Sequence, residues 1–391
     1  MTQQLINSDN AQHKGSHERP YRIVLVHPSA GVNSSGGSEI VAIELARRLS
    51  AYFEVELLSG APCGSFSYPV KCISRTFSSR VVRHPLVAPL LRGIGTHPEI
   101  VVEHLTSFFP CLLRLLSQPA DLIFPHNDYG GLAVAVCVRS LIGTPILFTE
   151  HNSLKANGKC LKRNLGFRPD RFVVLDEATA TYAHNLKPTQ PISVISNGVN
   201  LERFTPNGTS INFGLPRPMA LCVASLNRKN HKRVELAIQA VARLPHVSLV
   251  VCGDGPDRSY FQALGDRLLG QQRFAIRTFA YEQMPEVYRS VDVFTLPSVD
   301  EPFALAYLEA MASGLPVVTT DDAIRRYIVA NGGIVCDVTN PDTYAAALAQ
   351  ALTGDWQMRS RQNALRFNWD TVASSYRDVI LETIMQSKKV N

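Results

Sequence analysis

The chain has 391 residues, of which 45% are hydrophobic and 18% charged, and its formal net charge is +6. That length and composition suit two globular domains, each able to bury its own core, and exclude a disordered chain. So mild a positive balance argues against a dedicated nucleic-acid binder.

Residues 1–20, "MTQQLINSDNAQHKGSHERP", are polar and lack an apolar core, so a flexible tail is expected and no signal peptide. "YRIVLVHP" (21–28) predicts a buried strand, "GGSEIVAIELARRLSAY" (36–52) a helix and "FEVELLSG" a second strand. The alternation returns in "DLIFP", "GGLAVAVCVRSLIG" and "PILFTEH", and again in "FVVL", "DEATATYAHNL" and "ISVISNG". Then comes a stretch rich in Pro, Gly and Asn that reads as a linker. "MALCVASL", "RVELAIQAVARL", "VSLVVCG", "PDRSYFQALGDRLL", "MPEVYRSV", "DVFTLPS" and "PVVTT" repeat the pattern, and two helical segments close the chain.

Alternating short apolar strands and helices predict parallel sheets covered on both faces. The expected fold class is α/β, with two tandem doubly wound Rossmann-like domains facing a cleft. The expected layout is a tail over 1–20, a first domain over 21–200, a linker over 201–218 and a second domain over 219–368. A closing helix over 369–388 is the candidate to cross back onto the first domain. No apolar run approaches 18 residues, so no membrane span is expected. Eight cysteines, none in a C-x-x-C pair, are expected to be free thiols in a reducing, cytoplasmic setting.

The stretch "SVDEPFALAYLEAMASGLPVV" (298–318) carries the densest candidate chemistry. A helix is expected from near Pro302 to Ser313, capped by Asp300 or Glu301 and ended by Gly314. Free amides at Phe303, Ala304 and Leu305 would then suit a phosphate. Eight helical steps from Glu301 to Glu309 rise roughly 12 Å, beyond the roughly 5–10 Å of a glycosidase pair. The spacing suits either the two ends of one elongated ligand or a cap followed by a solvated helix residue.

Gly36 and Gly37 precede a helix and admit close approach of a phosphate or acceptor, or a simple turn. His27, His126 and His151 lie at strand ends; His126 could touch the acceptor, and a structural role is open for each. Residues 57–98 contain no Asp or Glu, while Lys71, Arg75, Arg80, Arg83 and Arg92 sit among apolar residues. That basic 71–92 stretch reads either as a solvated loop and helix or as a surface meeting anionic lipid peripherally at the inner membrane face. No metal-ligand spacing is present, so no cofactor is expected, and phosphate charge would be offset by Lys, Arg and helix N-termini.

"PSVDEPFALAYLEAMASGLPVV" resembles the signature of glycosyltransferase family 4. "GGSEIVAIELARRL", "ISNGVNLERFTP", "VVCGDGP" and "FNWDTVASSYRDVI" resemble further motifs of that family in the same order. The resemblance implies a GT-B fold and transfer, with retained configuration, from a nucleotide-diphosphate sugar to a glycan, lipid or small molecule. It implies that Glu301 contacts the donor sugar and Glu309 the ribose. Lys229 would bind phosphate with Arg228 beside it, and His151 would lie near the reacting sugar. Three departures stand out: Ala224 and Ser225 replace a Gly-Arg pair, Ala304 replaces a Gly, and Tyr327 stands where Glu is frequent. They motivate an alternative, a non-catalytic sugar-nucleotide-binding subunit. A dinucleotide-dependent oxidoreductase is the other alternative, weakened by Arg258 at the third glycine of its fingerprint.

Overall fold

A computed structural model describes residues 19–32, 36–74, 77–78, 98–126 and 128–390. The basic positions Arg75, Arg80, Arg83 and Arg92 lie outside the described residues, as does most of the N-terminal tail.

The first half runs β1 (Arg22–His27), α1 (Gly37–Leu49), β2 (Glu54–Ser59), β3 (Ser67–Pro69), α2 (Pro98–Ser117), β4 (Leu122–Pro125), α3 (Asp128–Ile142), β5 (Leu147–Thr149), α4 (Lys155–Gly166), β6 (Arg171–Val174), α5 (Glu177–Leu186) and β7 (Ile192–Val194). Four strands pair in the order β3-β2-β1-β4 and three in the order β5-β6-β7. A parallel bridge from Ile123 to Ile146 joins the two groups edge to edge. Leu25 sits opposite both Leu57 and Phe124, so β1 is central and wholly apolar in its middle. Burial on both faces is what removes polar alternation from such strands.

The second half runs β8 (Met219–Val223), α6 (Val234–Ala242), β9 (Ser248–Cys252), α7 (Arg258–Leu269), β10 (Phe274–Arg277), α8 (Met284–Arg289), β11 (Val293–Leu296), α9 (Leu305–Ala312), β12 (Val317–Thr320), α10 (Ala323–Val329), β13 (Gly333–Cys336), α11 (Pro341–Thr353), α12 (Gln357–Ala364) and α13 (Trp369–Val390). Its six parallel strands follow the order β10-β9-β8-β11-β12-β13. In each half the order reverses beside the first strand, between β1 and β4 and between β8 and β11, which is where doubly wound sheets place ligands.

Helix α13 packs on the first half. Trp369, Tyr376, Ile380 and Ile384 share a buried cluster with Leu45 and Leu49 of α1, and the Tyr376 hydroxyl meets Thr149 Oγ1 at 3.0 Å. The chain crosses between the halves twice, at Val199 and Asn368, and these residues bridge each other. Gly198 is required at that crossing, since a Cβ there would lie 2.6 Å from the Trp369 ring.

Helix α2 is long and apolar enough to span a membrane by length and composition, which the apolar-run criterion missed because Glu99, Glu103 and Arg114 interrupt it. Its inner face is nevertheless built into the domain: Cys111 and Leu115 are buried, and Glu103 accepts from Ser29 Oγ at 2.7 Å. All eight cysteines are free. Burial pushes the Cys111, Cys222 and Cys252 thiols up to about 12, so these three are inert packing groups.

Candidate functional site

The carboxyl ends of both sheets meet across one cleft. On the first half, His27 ends β1, His126 follows β4, and Glu150 and His151 follow β5. His126 Nδ1 and His151 Nε2 are 3.2 Å apart, and His27 Nε2 is 3.2 Å from Ser38 Oγ. His126 is buried over the Phe124 ring, and its Nε2 has no hydrogen-bond partner among the described residues. Burial, then the neighbouring His151 and His27, hold its imidazole well below the ordinary histidine range, so it stays neutral.

On the second half the loops after β8 and β11 face each other. Arg233, in the left-handed region at φ 51°, donates to Pro297 O at 2.7 Å and to Thr320 Oγ1 at 3.1 Å, which ties the two loops together. Asp300 is also left-handed, at φ 51°. Glu301 follows it, only 9% exposed. Its Oε2 accepts from His231 Nε2 at 3.0 Å and from the Lys232 ammonium in direct contact. Burial alone would raise this carboxyl, but the His231 bond and the Lys232 charge outweigh it and bring it down to about 2.

The helix after this loop starts later than its sequence suggests. α9 begins at Leu305 behind an N-cap at Ala304, so neither Asp300 nor Glu301 caps it. Residues 301–304 are not helical, and the roughly 12 Å helical rise between the two glutamates therefore does not apply. Phe303, Ala304 and Leu305 still precede the first backbone bond of the turn, from Tyr307 N to Ala304 O at 3.1 Å. Glu309 is buried inside the second half, where Tyr288 and Tyr281 donate to its two oxygens at 2.8 and 3.0 Å. Burial raises its carboxyl above the ordinary value, against the pull of those two hydroxyls.

Two cavities open here and share Glu301. The smaller, about 300 Å³, lies between the halves and is walled by His27, His126, Glu150, His151, Lys155 and His231. The larger, about 480 Å³, runs from Gly37 past Lys232, Ser225 and Ala304 to Tyr281 and Glu309. Lys155 Nζ lies 3.4 Å from His231 Nδ1, across the cleft. An ammonium only donates, so Nδ1 accepts and the proton sits on Nε2, the nitrogen that faces Glu301.

The structure gathers most of the sequence candidates, but Gly36, the basic pair and Phe303, whose ring is buried against Phe367, line neither cavity. Glu301, Glu309, Ala304, Leu305, Gly37, His126 and His151 all line one cavity or the other. Gly36 is the N-cap of α1, where a Cβ would collide with the Glu39 carboxylate. Lys229 and Arg228 are exposed and line neither cavity; the Arg228 guanidinium instead lies 4.0 Å over the Tyr260 ring. The lysine that faces Glu301 is Lys232, three residues further on. Tyr327 packs on Phe367 and under Arg366, away from both cavities. Lys232, His231, Lys155 and Glu150 were not singled out from sequence. Lys232 and His231 lie in "NRKNHKR", where cations are too dense for spacing to show which one turns inward.

Two family models match the chain side by side. Residues 35–203 match Glycosyltransferase Family 4, and residues 209–366 match Glycosyl transferases group 1. The chain belongs to glycosyltransferase family 4. It is an enzyme that moves a sugar from a nucleotide sugar, on two Rossmann-like domains of the GT-B kind. The D-inositol 3-phosphate glycosyltransferase of Salinispora arenicola is 26% identical over 94% of this chain and 93% of its own. Among solved structures, sucrose-phosphate synthase from Thermosynechococcus elongatus superposes with a TM-score of 0.73 at 18% identity, covering 94% of this chain and 100% of that one. Anabaena HepE in complex with UDP and glucose gives 0.68 at 16% identity, covering 93% and 100%.

Family membership removes the oxidoreductase alternative. The turn after β9 shows why its fingerprint failed: Arg258, at the third glycine position, donates to Gly253 O at 3.0 Å and to Ile276 O at 3.2 Å and so closes over the turn.

Proposed function

We propose that this family 4 enzyme is a retaining glycosyltransferase that passes the sugar of a nucleoside diphosphate sugar to an acceptor hydroxyl. The observation that carries this reading is Glu301, a carboxylate kept ionised on the wall common to two cavities. The nucleotide and its phosphates take the larger cavity, with Glu309 toward the ribose. The sugar lies at Glu301, and the acceptor enters the smaller cavity beside His151 and His126.

In the reaction the bond from the sugar C1 to the diphosphate oxygen breaks. A bond from C1 to the acceptor oxygen forms on the same face, and the acceptor proton passes to the leaving phosphate. Negative charge builds on that diphosphate. Lys232 and the amides at Ala304 and Leu305, all on the wall of the larger cavity, offset it. Glu301 orients the sugar through its hydroxyls. Retention without a covalent intermediate agrees with the carboxylates of the smaller cavity. Glu301 already accepts from His231 and Lys232, and Glu150 accepts from Asn152 N and Asn164 Nδ2, both at 2.8 Å. Glu150 is thus buried with both oxygens engaged, while Glu301 uses Oε2 for its two donors and keeps Oε1 for a sugar hydroxyl.

UDP, GDP and ADP are the nucleotides to compare, UDP first because it occupies the HepE structure. The test is donor turnover by the wild type, Glu301→Ala and Lys232→Ala, with folding checked by circular dichroism. Both variants are expected to lose at least about 100-fold in rate. Two folded variants turning over like the wild type would remove Glu301 and Lys232 from the mechanism.

A further inference from the structure

We propose that the acceptor carries an anionic group, a phosphate ester or a carboxylate, and that Lys155 receives it. This rests on the glycosyltransferase reading above and names the substrate class of its acceptor cavity.

Lys155 stands on the wall of the smaller cavity, on the first half of the molecule. It makes no ion pair among the described residues, and its contact with His231 Nδ1, at 3.4 Å, engages one of three ammonium protons. The two carboxylates of that wall already hold donors of their own. Glu301 is matched by Lys232. Glu150 is fully buried, with its oxygens turned to the Asn152 amide and the Asn164 side chain. His126 is held neutral by burial. Among the described residues Lys155 is thus the one lysine or arginine on that wall, and two of its N–H groups are unspent. An ammonium aimed into a partly closed cavity is a strong site for an oxyanion, because the low local dielectric strengthens the charge-assisted bond.

The backbone supports the same assignment. Ser153, Ala156, Asn157 and Gly158 are all left-handed, with φ of 45°, 51°, 56° and 67°. Three of these residues are not glycine, and Ala156, Asn157 and Gly158 are consecutive. For L-residues such a run costs about 1–2 kcal/mol per residue, and strain of this kind gathers where a side chain must be held in place. Here it surrounds Lys155 and points it across the cleft at His231. An acceptor anchored at Lys155 by its anion would present a hydroxyl toward Glu301, where the donor sugar is placed.

Matched pairs differing by one anionic group provide the test: glucose against glucose 6-phosphate, glucose against glucuronate, and myo-inositol against myo-inositol 3-phosphate. Each is added to protein saturated with whichever of UDP, GDP or ADP stabilises it, and the melting temperature is read. The anionic member of at least one pair is expected to raise the melting temperature where its neutral partner does not. The phosphate and carboxylate arms show which oxyanion is taken. Lys155→Met is expected to weaken the anionic probe roughly tenfold or more, and Lys155→Arg to keep the preference. No anionic preference in any pair, or a preference that survives in Lys155→Met, overturns the proposal. The nucleotide shift separates the two readings. Stabilisation by nucleotide without an anionic preference sinks only the Lys155 assignment, whereas no stabilisation by any nucleotide sinks the donor reading beneath it.

Discussion

Lys232 and Glu301, 69 residues apart in the chain, meet in direct contact where the loops after β8 and β11 converge. The pair does two things at once. It keeps a buried carboxylate ionised, and it leaves an ammonium on the wall of the larger cavity. Replacing Lys232 by Ala removes the cation and strands the carboxylate in a site 9% exposed. Transfer is expected to fall by about 10²–10³. Lys229→Ala, at an exposed position facing neither cavity, should change it less than about threefold. Steady-state rates of the two single variants decide between them, and the opposite ranking would return the phosphate role to Lys229.

The same pair makes stability depend on acid. The folded-state value of Glu301 is depressed to about 2 from an ordinary value of 4.5. A depressed carboxyl contributes stability that is complete above its unfolded value and is lost as pH falls through the folded one. The window is therefore pH 4.5 down to about 2, and the contribution is of the order of 3 kcal/mol at its fullest. Glu301→Gln is expected to flatten that limb of the stability curve. Urea unfolding of both proteins at several pH values across the window measures it, and parallel curves would mean that the ion pair does not form.

Glu309 shows the reverse sign. Burial raises its carboxyl, so its ionised form is the disfavoured one in the fold, and the stability it contributes when protonated is lost as pH rises through the raised value. Glu309→Gln removes that burden near neutral pH while keeping the shape, and the phenol facing the new amide nitrogen turns to accept. The melting temperature is expected to hold or rise by a few degrees, while the donor KM rises about tenfold with kcat nearly unchanged. A drop in melting temperature with KM unaltered would make Glu309 a packing group only.

The architecture was legible because strands buried on both faces leave uninterrupted apolar runs, as in "RIVLVH" and "SLVVC", each followed by a helix. The placement of Glu301 at a strand end was legible for the same reason. The start of α9 was not. Pro302 reads as a first-turn residue, but a left-handed Asp300 and the N-cap at Ala304 delay the helix to Leu305. Nor was the identity of the inward lysine, which depends on the left-handed turn at Arg233 and its bonds to Pro297 and Thr320, 64 and 87 residues away in the chain. Contacts across the cleft, such as Lys155 to His231, arise only when both sheets are in place.

Gly37 offers a test in which stability and binding should part company. Its backbone is ordinary helix, absent from the positive-φ glycines, and a Cβ built there meets no atom of the described residues within 4 Å. Neither conformation nor a neighbour among the described residues demands glycine at this position. It does border the larger cavity, opposite Lys232 and Ala304. A branched side chain at 37 would therefore fill space that the donor phosphates need, while α1 stays folded. Gly37→Val is expected to shift the melting temperature of the free protein by about 1 °C or less, the equivalent of under about 1 kcal/mol in a chain this long. It should also abolish the stabilisation that the nucleotide gives the wild type. Thermal scans with and without the nucleotide read both quantities together. Retained stabilisation in Gly37→Val would place the phosphates elsewhere in the cleft and leave the glycine without a role in donor binding.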